Sequence, residues 1–183
     1  MEQNFDGFIS LVWPSNGDFD SPLQGYHVTP GDPGGGTKGG VIETTWQAQV
    51  KAGEVTGSLA GATDAQLKLV LRNVAWGTEG DALPPGVDIM VANGKMMTGH
   101  YSAIVENCIG MIGASVNNAI GPNDLAAIAK MDPYSLIMAL HGNHYAYLSQ
   151  LPTWSRFKNG WTRRLMAAHD TALAAAPAVA KPA

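Results

Sequence analysis

The sequence has little charge and almost no cysteine. Of its 183 residues 14% are charged, and Cys108 is the one cysteine, so an internal disulfide is excluded. The formal net charge of −4 argues against nucleic acid as a partner. Because 45% of the residues are apolar, the chain has enough hydrophobic side chains to build a folded domain with a real core.

Long hydrophobic runs are also missing. No stretch approaches the roughly 20 apolar residues that a membrane span requires. The beginning, Met1-Glu2-Gln3-Asn4, shows neither the basic nor the apolar part of a signal peptide. We therefore expect no membrane span and no signal peptide, with synthesis in the cytoplasm.

The sequence also lacks an obvious metal or cofactor motif. His141 and His144 lie three residues apart on a predicted helix and can share one face. No third ligand lies near them in the sequence, so we expect a packed or solvated pair in place of a metal site. We expect no cofactor.

Glycine and proline, in contrast, concentrate in residues 25–40. Glycine allows φ > 0 and close approach of a ligand, whereas Pro30 and Pro33 stiffen the chain. Asp32 and Thr37 occupy places between these residues. Long irregular connections in compact domains usually bind or cover something. We therefore expect this segment to be a functional loop that binds or covers a ligand, with a flexible surface linker as the alternative.

Helical periodicity covers most of the remaining chain. Pro14 stops a first helix, Thr63 and Gln66 form a capping box, and Pro122 and Pro133 open later helices. Helices are predicted over about 5–13, 43–51, 64–74, 101–112, from 122, over 134–149, and from Gly160-Trp161 to about 173. Any sheet is confined to residues 26–42. The prediction is a mainly α domain over residues 1–173, followed by an Ala/Pro-rich tail over 174–183.

Four motifs follow one another between residues 5 and 170. They are Gly25-Tyr26…Asp32-Pro33-Gly34-Gly35…Thr37…Gly40-Val41, Trp76…Gly80-Asp81…Leu83-Pro84…Gly86-Val87-Asp88, Ala119-Ile120-Gly121-Pro122…Leu125, and Leu151-Pro152-Thr153-Trp154…Phe157…Gly160-Trp161…Arg163-Arg164. Together they resemble glycoside hydrolase family 108, the lysozyme-like N-acetylmuramidases. The resemblance implies a lysozyme-like fold that acts on peptidoglycan, typically encoded by phages or by bacterial secretion and lysis loci.

The resemblance fails at the catalytic acid. In the family a glutamate opens a Glu-Gly-Gly-Tyr motif, and Leu23 holds that place here. If the first helix is kept in register instead, the place falls near Ser15 and Asn16. None of these side chains can protonate a glycosidic oxygen, a step that is worth about 10²–10⁴-fold. Asn93 stands where the family has an aspartate, and Met97 where it has an asparagine.

No catalytic residue can be assigned with these substitutions. Asp32 and Thr37 match the family's loop acid and hydroxyl, and both are interpreted as vestigial residues that cap turns. Asp20 is the best candidate for a relocated acid. Candidates for a substrate groove are Tyr26, Asn93 and Trp76.

Three functions remain open. The first is a muramidase-like domain that has lost glycoside hydrolysis and serves as a structural or binding component, in particular of a phage particle. The second is an active, endolysin-like N-acetylmuramidase with a relocated acid. The third is a peptidoglycan-binding module that does not cut. The corresponding partners are peptidoglycan or other virion and assembly proteins, within a homo-oligomer or a larger complex.

Overall fold

Helices form most of the chain, as the periodicity predicts. The computed structural model describes residues 2–17, 19–30, 35–110 and 119–177, without the side chains of residues 2 and 3. The helices in these ranges are α1 (Glu2–Val12), α2 (Glu43–Lys51), α3 (Asp64–Leu71), α4 (Gly77–Gly80), α5 (Val87–Met97), α6 (Tyr101–Cys108), α7 (Pro122–Ile128), α8 (Pro133–Ser149) and α9 (Trp154–Ala175). A 3-10 turn spans Pro22–Gln24, and a π-helical turn, Arg72–Trp76, follows α3.

A small antiparallel sheet lies where the sequence confined it. Its strands are β1 (His27–Val28), β2 (Gly36–Lys38) and β3 (Val41–Ile42), in the order β1-β2-β3. Thr37 on the central strand pairs with His27 on one side and with Ile42 on the other. Gly39 and Gly40 connect β2 to β3 with φ of 56° and 79°. Two successive positive φ values are typical of a tight hairpin turn, which explains the glycine pair.

The chain divides into two compact units. The loop unit comprises Ile9–Ala75, and the helical unit comprises Met1–Phe8 with Trp76–Ala183. In the loop unit, the fully buried side chains include Trp46, Leu59 and Leu67. Lys38 fastens β2 to the segment before α3, because its ammonium donates to the carbonyls of Ala60 and Ala62 at 3.0 and 2.7 Å.

Helix α5 is the centre of the helical unit. It contacts α4, α6, α8 and α9, and every residue from Val87 to Gly94 is buried. A helix that is apolar on all sides requires such neighbours. A Cβ at Gly94 would overlap the ring of Tyr101, so this glycine lets α6 approach closely. Asp88 accepts from the Asn4 amide at 2.8 Å, which ties the start of α1 to α5.

Two boundaries differ from the sequence prediction. Helix α9 begins at Trp154, whereas we expected it only after Gly160. Pro152 lies before the first turn, where it blocks no helical hydrogen bond, and a single interior glycine costs only about 1 kcal/mol. Residues 77–80 form the short helix α4, in a stretch for which the sequence predicted no helix. The division between domain and tail at residue 173 stays a prediction, and residues 178–183 lie outside the described range.

Candidate functional site

Leu23, which stands at the family's acid position in one register of the sequence resemblance, lies on a 3-10 turn at the surface of the loop unit. Ser21 caps this turn, since its hydroxyl accepts from the backbone N–H of Leu23 at 3.4 Å. The Gly25 N–H closes the turn on the carbonyl of Pro22 at 3.0 Å. Leu23 is 78% exposed. This position therefore presents a hydrocarbon side chain to solvent, with no proton to donate.

Tyr26 follows the turn and lies against the sheet. A Cβ at Gly36 would overlap its phenol ring, so only a glycine at this position of β2 allows the ring to pack against the strand. The ring is nevertheless 42% exposed, and Val28, two residues on, is 60% exposed. The structure thus brings Tyr26 next to the strand that carries Thr37. A half-exposed aromatic ring that packs against a sheet is a suitable surface for stacking against a sugar.

The remaining candidates of the loop unit have different environments. Thr37 is half-buried in the central strand, and Asp20 is half-buried just before the capped turn. Ser15 and Asn16, the alternative acid places, are exposed. Asp32 lies outside the described residues.

Asn93 belongs to the helical unit and is fully buried. Its side-chain oxygen accepts from the guanidinium Nε of Arg164 at 2.8 Å, and its amide lies 3.5 Å from the sulfur of Met97. Burial lowers the pKa of Arg164 to about 10. Asn93 is therefore held by a cation on α9, an arrangement in which an aspartate would form an ion pair.

Trp76 was wrongly expected as a groove residue. Only 1% of its side chain is exposed. Its ring packs against Phe5 and Phe8 at 5.5 and 5.9 Å, and its indole N–H donates to Asp81 at 3.1 Å. The side chain belongs to the core of the helical unit, where no sugar can stack on it.

Several carboxylates of the helical unit have structural partners. Glu79 forms an ion pair with Lys95 at 2.5 Å, and Asp124 accepts from the Gly121 N–H at 2.7 Å. Asp88 accepts from the N–H groups of Gly86 and Ile89 at 2.8 and 2.7 Å. Burial raises the pKa of Asp88, and these hydrogen bonds oppose the shift. Such groups stabilise helix ends and packing, and their geometry does not offer a proton to an external oxygen.

Sequence reasoning missed the link between Asn93 and Arg164. Arg164 is half-buried and lies 71 positions from its partner in the sequence. The available signal was helical periodicity, because position 164 lies one turn after Trp161 and next to the buried Leu165.

Comparison with known proteins covers both units. Residues 24–99 match the family described as Glycosyl hydrolase 108. The matched range covers less than half of the chain, and this part is similar to glycosyl hydrolase 108 domains. The structure of Brucella abortus SagA is similar, with a TM-score of 0.78 and 27% sequence identity over 98% of this chain and 99% of that chain. No curated protein matches.

The comparisons confirm the family resemblance and the mainly α, lysozyme-like fold. The matched range begins at Gln24, directly after Leu23, and includes Tyr26, Thr37, Trp76 and Asn93. The family match indicates a muramidase-like, peptidoglycan-related class. Among the described residues no helix has the length and hydrophobicity to cross a bilayer.

Proposed function

We propose that this domain keeps the muramidase scaffold but has lost glycoside hydrolysis, and that it serves as a binding or structural component. The proposal rests on Leu23, a hydrocarbon side chain on a capped, exposed turn, which the family resemblance aligns with the catalytic acid. Glycoside hydrolysis requires a carboxylic acid that protonates the leaving oxygen and a second group that stabilises the oxocarbenium-like transition state. Asn93, bound to Arg164, is neutral where the family has an acid.

The first test is hydrolysis of purified peptidoglycan. The wild-type chain is expected to release no reducing ends and to leave the turbidity of the suspension unchanged. Leu23→Glu places an acid on the same turn, and Leu23→Gln is its control of equal size without a proton. Because position 23 is exposed, both variants should fold. We expect only the glutamate variant to release reducing ends. Its rate increase over the wild type should lie near the lower end of the roughly 10²–10⁴-fold range for general acid catalysis, because Asn93 and Met97 remain unchanged.

Wild-type hydrolysis as fast as that of Leu23→Glu would refute the proposal. In that case the alternative is an endolysin-like enzyme with a relocated acid. Asp20→Asn and Asp32→Asn then identify the acid. The variant that loses hydrolysis marks the essential carboxylate, because an amide cannot replace it as a proton donor. Circular dichroism of both variants controls for folding.

The second test separates peptidoglycan from other partners. The chain is sedimented with insoluble peptidoglycan, and Tyr26→Ala is compared with Val28→Ala, a truncation of a neighbouring exposed side chain. Weaker sedimentation of Tyr26→Ala alone supports a binding module that holds glycan without cutting it. The absence of wild-type sedimentation leaves the assembly role, in which the domain is a component of a phage particle or of another large complex.

A further inference from the structure

A second cluster of reactive side chains lies between α8 and α9, within the helical unit. The Nε2 atom of His169 on α9 is 3.1 Å from the sulfur of Met138 on α8. Its other nitrogen, Nδ1, is 3.1 Å from a carboxylate oxygen of Asp170. The ring of His141 lies beside that of His169, with 4.7 Å between the ring centroids. We call Met138, His141 and His169 the His–Met cluster.

The hydrogen bond to Asp170 determines which nitrogen of His169 carries the proton. In the tautomer whose Nδ1–H donates to the carboxylate, Nε2 has the lone pair that can ligate a metal. The Met138 thioether is itself only a weak acceptor. Two electron-pair donors thus face each other at 3.1 Å, an arrangement that a cation between them would satisfy.

His141 provides a third donor with an unused lone pair. Its Nδ1 atom is buried and has no hydrogen-bond partner among the described residues. His144, which the sequence paired with His141, instead packs against Tyr101 at 5.0 Å.

The donor set identifies the class of ion. Thioether sulfur and imidazole together favour a soft ion such as copper(I), whereas zinc and harder ions prefer thiolate, imidazole and carboxylate. The described residues contain no group of three His, Cys, Asp or Glu side chains arranged to hold a metal. Imidazole nitrogen and sulfur ligands bind metals at about 2.0 and 2.3 Å, so one ion can touch two atoms that are 3.1 Å apart.

We propose that Met138, His141 and His169 form a surface binding site for a soft monovalent metal ion, copper(I), with Asp170 as the positioning residue. Asp170 acts through His169, whose ring and tautomer it orients, as carboxylates commonly do behind metal-bound histidines. The ion can reach the site from solvent, because Met138 is 46% exposed and 14% of the His169 side chain is accessible. This site is independent of the proposed loss of hydrolysis.

The test is a copper(I) titration of the full chain against a coloured copper(I) chelator, without oxygen and with ascorbate as reductant. All variants carry Cys108→Ser, because the thiol of this half-buried cysteine would itself bind copper(I). The Cys108→Ser parent is expected to bind one ion. Asp170→Asn should weaken binding by about 10- to 100-fold, and Met138→Leu and His169→Gln at least as much.

His100→Gln and Met131→Leu are the matched controls, and neither is expected to change the Kd.

Silver(I), which does not change oxidation state, provides a spectroscopic signature. In long-range proton–nitrogen spectra, Nε2 of His169 and Nδ1 of His141 should shift, whereas the nitrogens of His144 should not. Met138→Leu conserves volume at an exposed position, so it decides the question even if His169→Gln folds poorly. A parent that binds no copper(I), or an unchanged Kd in Met138→Leu, would overturn the proposal.

Discussion

At the residue scale, His144 is the clearest case of a buried polar side chain that has no hydrogen bond to offset its loss of contact with water. Its side chain is completely buried, and neither ring nitrogen has a hydrogen-bond partner among the described residues. The hydroxyl of Tyr101, whose ring lies at its edge, is in the same situation. Burial lowers the pKa of His144 to about 4, with a smaller contribution from His141. The folded state therefore excludes the charged ring.

This burial predicts a stability that depends on pH. An unfolded histidine has a pKa of about 6.5, so the stabilisation is fully present above pH 6.5 and is lost as the pH falls towards about 4. The difference amounts to at most about 3.5 kcal/mol, since each pKa unit corresponds to about 1.4 kcal/mol. Urea unfolding of the wild type should show this loss, and His144→Leu should reduce the slope between pH 6.5 and 5.

His27, a half-buried histidine on β1, offers a control for that measurement. His27→Gln leaves the buried ring of His144 in place, so its slope should equal that of the wild type. Because His144→Leu also removes two unsatisfied buried nitrogens, we expect it to be at least as stable as the wild type at pH 7. Equal slopes for His144→Leu and the wild type would show that the ring is not buried in the neutral form.

At the element scale, the start of α3 shows how much local sequence decides. The Thr63 hydroxyl accepts from the Gln66 N–H at 3.3 Å, and the Gln66 side chain accepts from the Thr63 N–H at 3.0 Å. This reciprocal pair is the capping box that the sequence predicts. The Gln66 amide also donates to the carbonyl of Thr56 at 3.1 Å, which fastens the loop before the helix.

Removal of this cap should have a measurable effect on stability. Thr63→Ala is expected to lower the free energy of unfolding by about 1 kcal/mol, within the usual 0.5–2 kcal/mol for an N-cap. Thr44→Ala, an exposed threonine inside α2, is the matched control and should be neutral or slightly stabilising, because alanine is the better helix former. Denaturant unfolding measures both. Equal effects of the two substitutions would contradict the assigned cap.

At the scale of the whole molecule, α9 keeps buried residues almost to its last turn. Helix α9 continues to Ala175, and Ala168 and Ala172 are fully buried. A chain that ends at Pro177 should keep the Tm of the full chain, whereas one that ends at Ala167 loses both buried alanines and should unfold at a lower temperature. Thermal unfolding followed by circular dichroism compares them. A lower Tm for the chain ending at Pro177 would show that residues 178–183 contribute to the fold.

The sequence by itself determined the features that depend on neighbouring residues. Pro14 and Pro133 mark helix ends, the residues around Thr63 form a cap, and glycine pairs mark the hairpin, because these effects act within a few positions. The sequence motifs also indicated the family resemblance. Only the tertiary structure decided that Trp76 is core, that Arg164 holds Asn93 across 71 positions, and that Met138 meets His169 across 31. Those outcomes depend on which helices pack together, and periodicity shows that a helix has a buried face without identifying its neighbour.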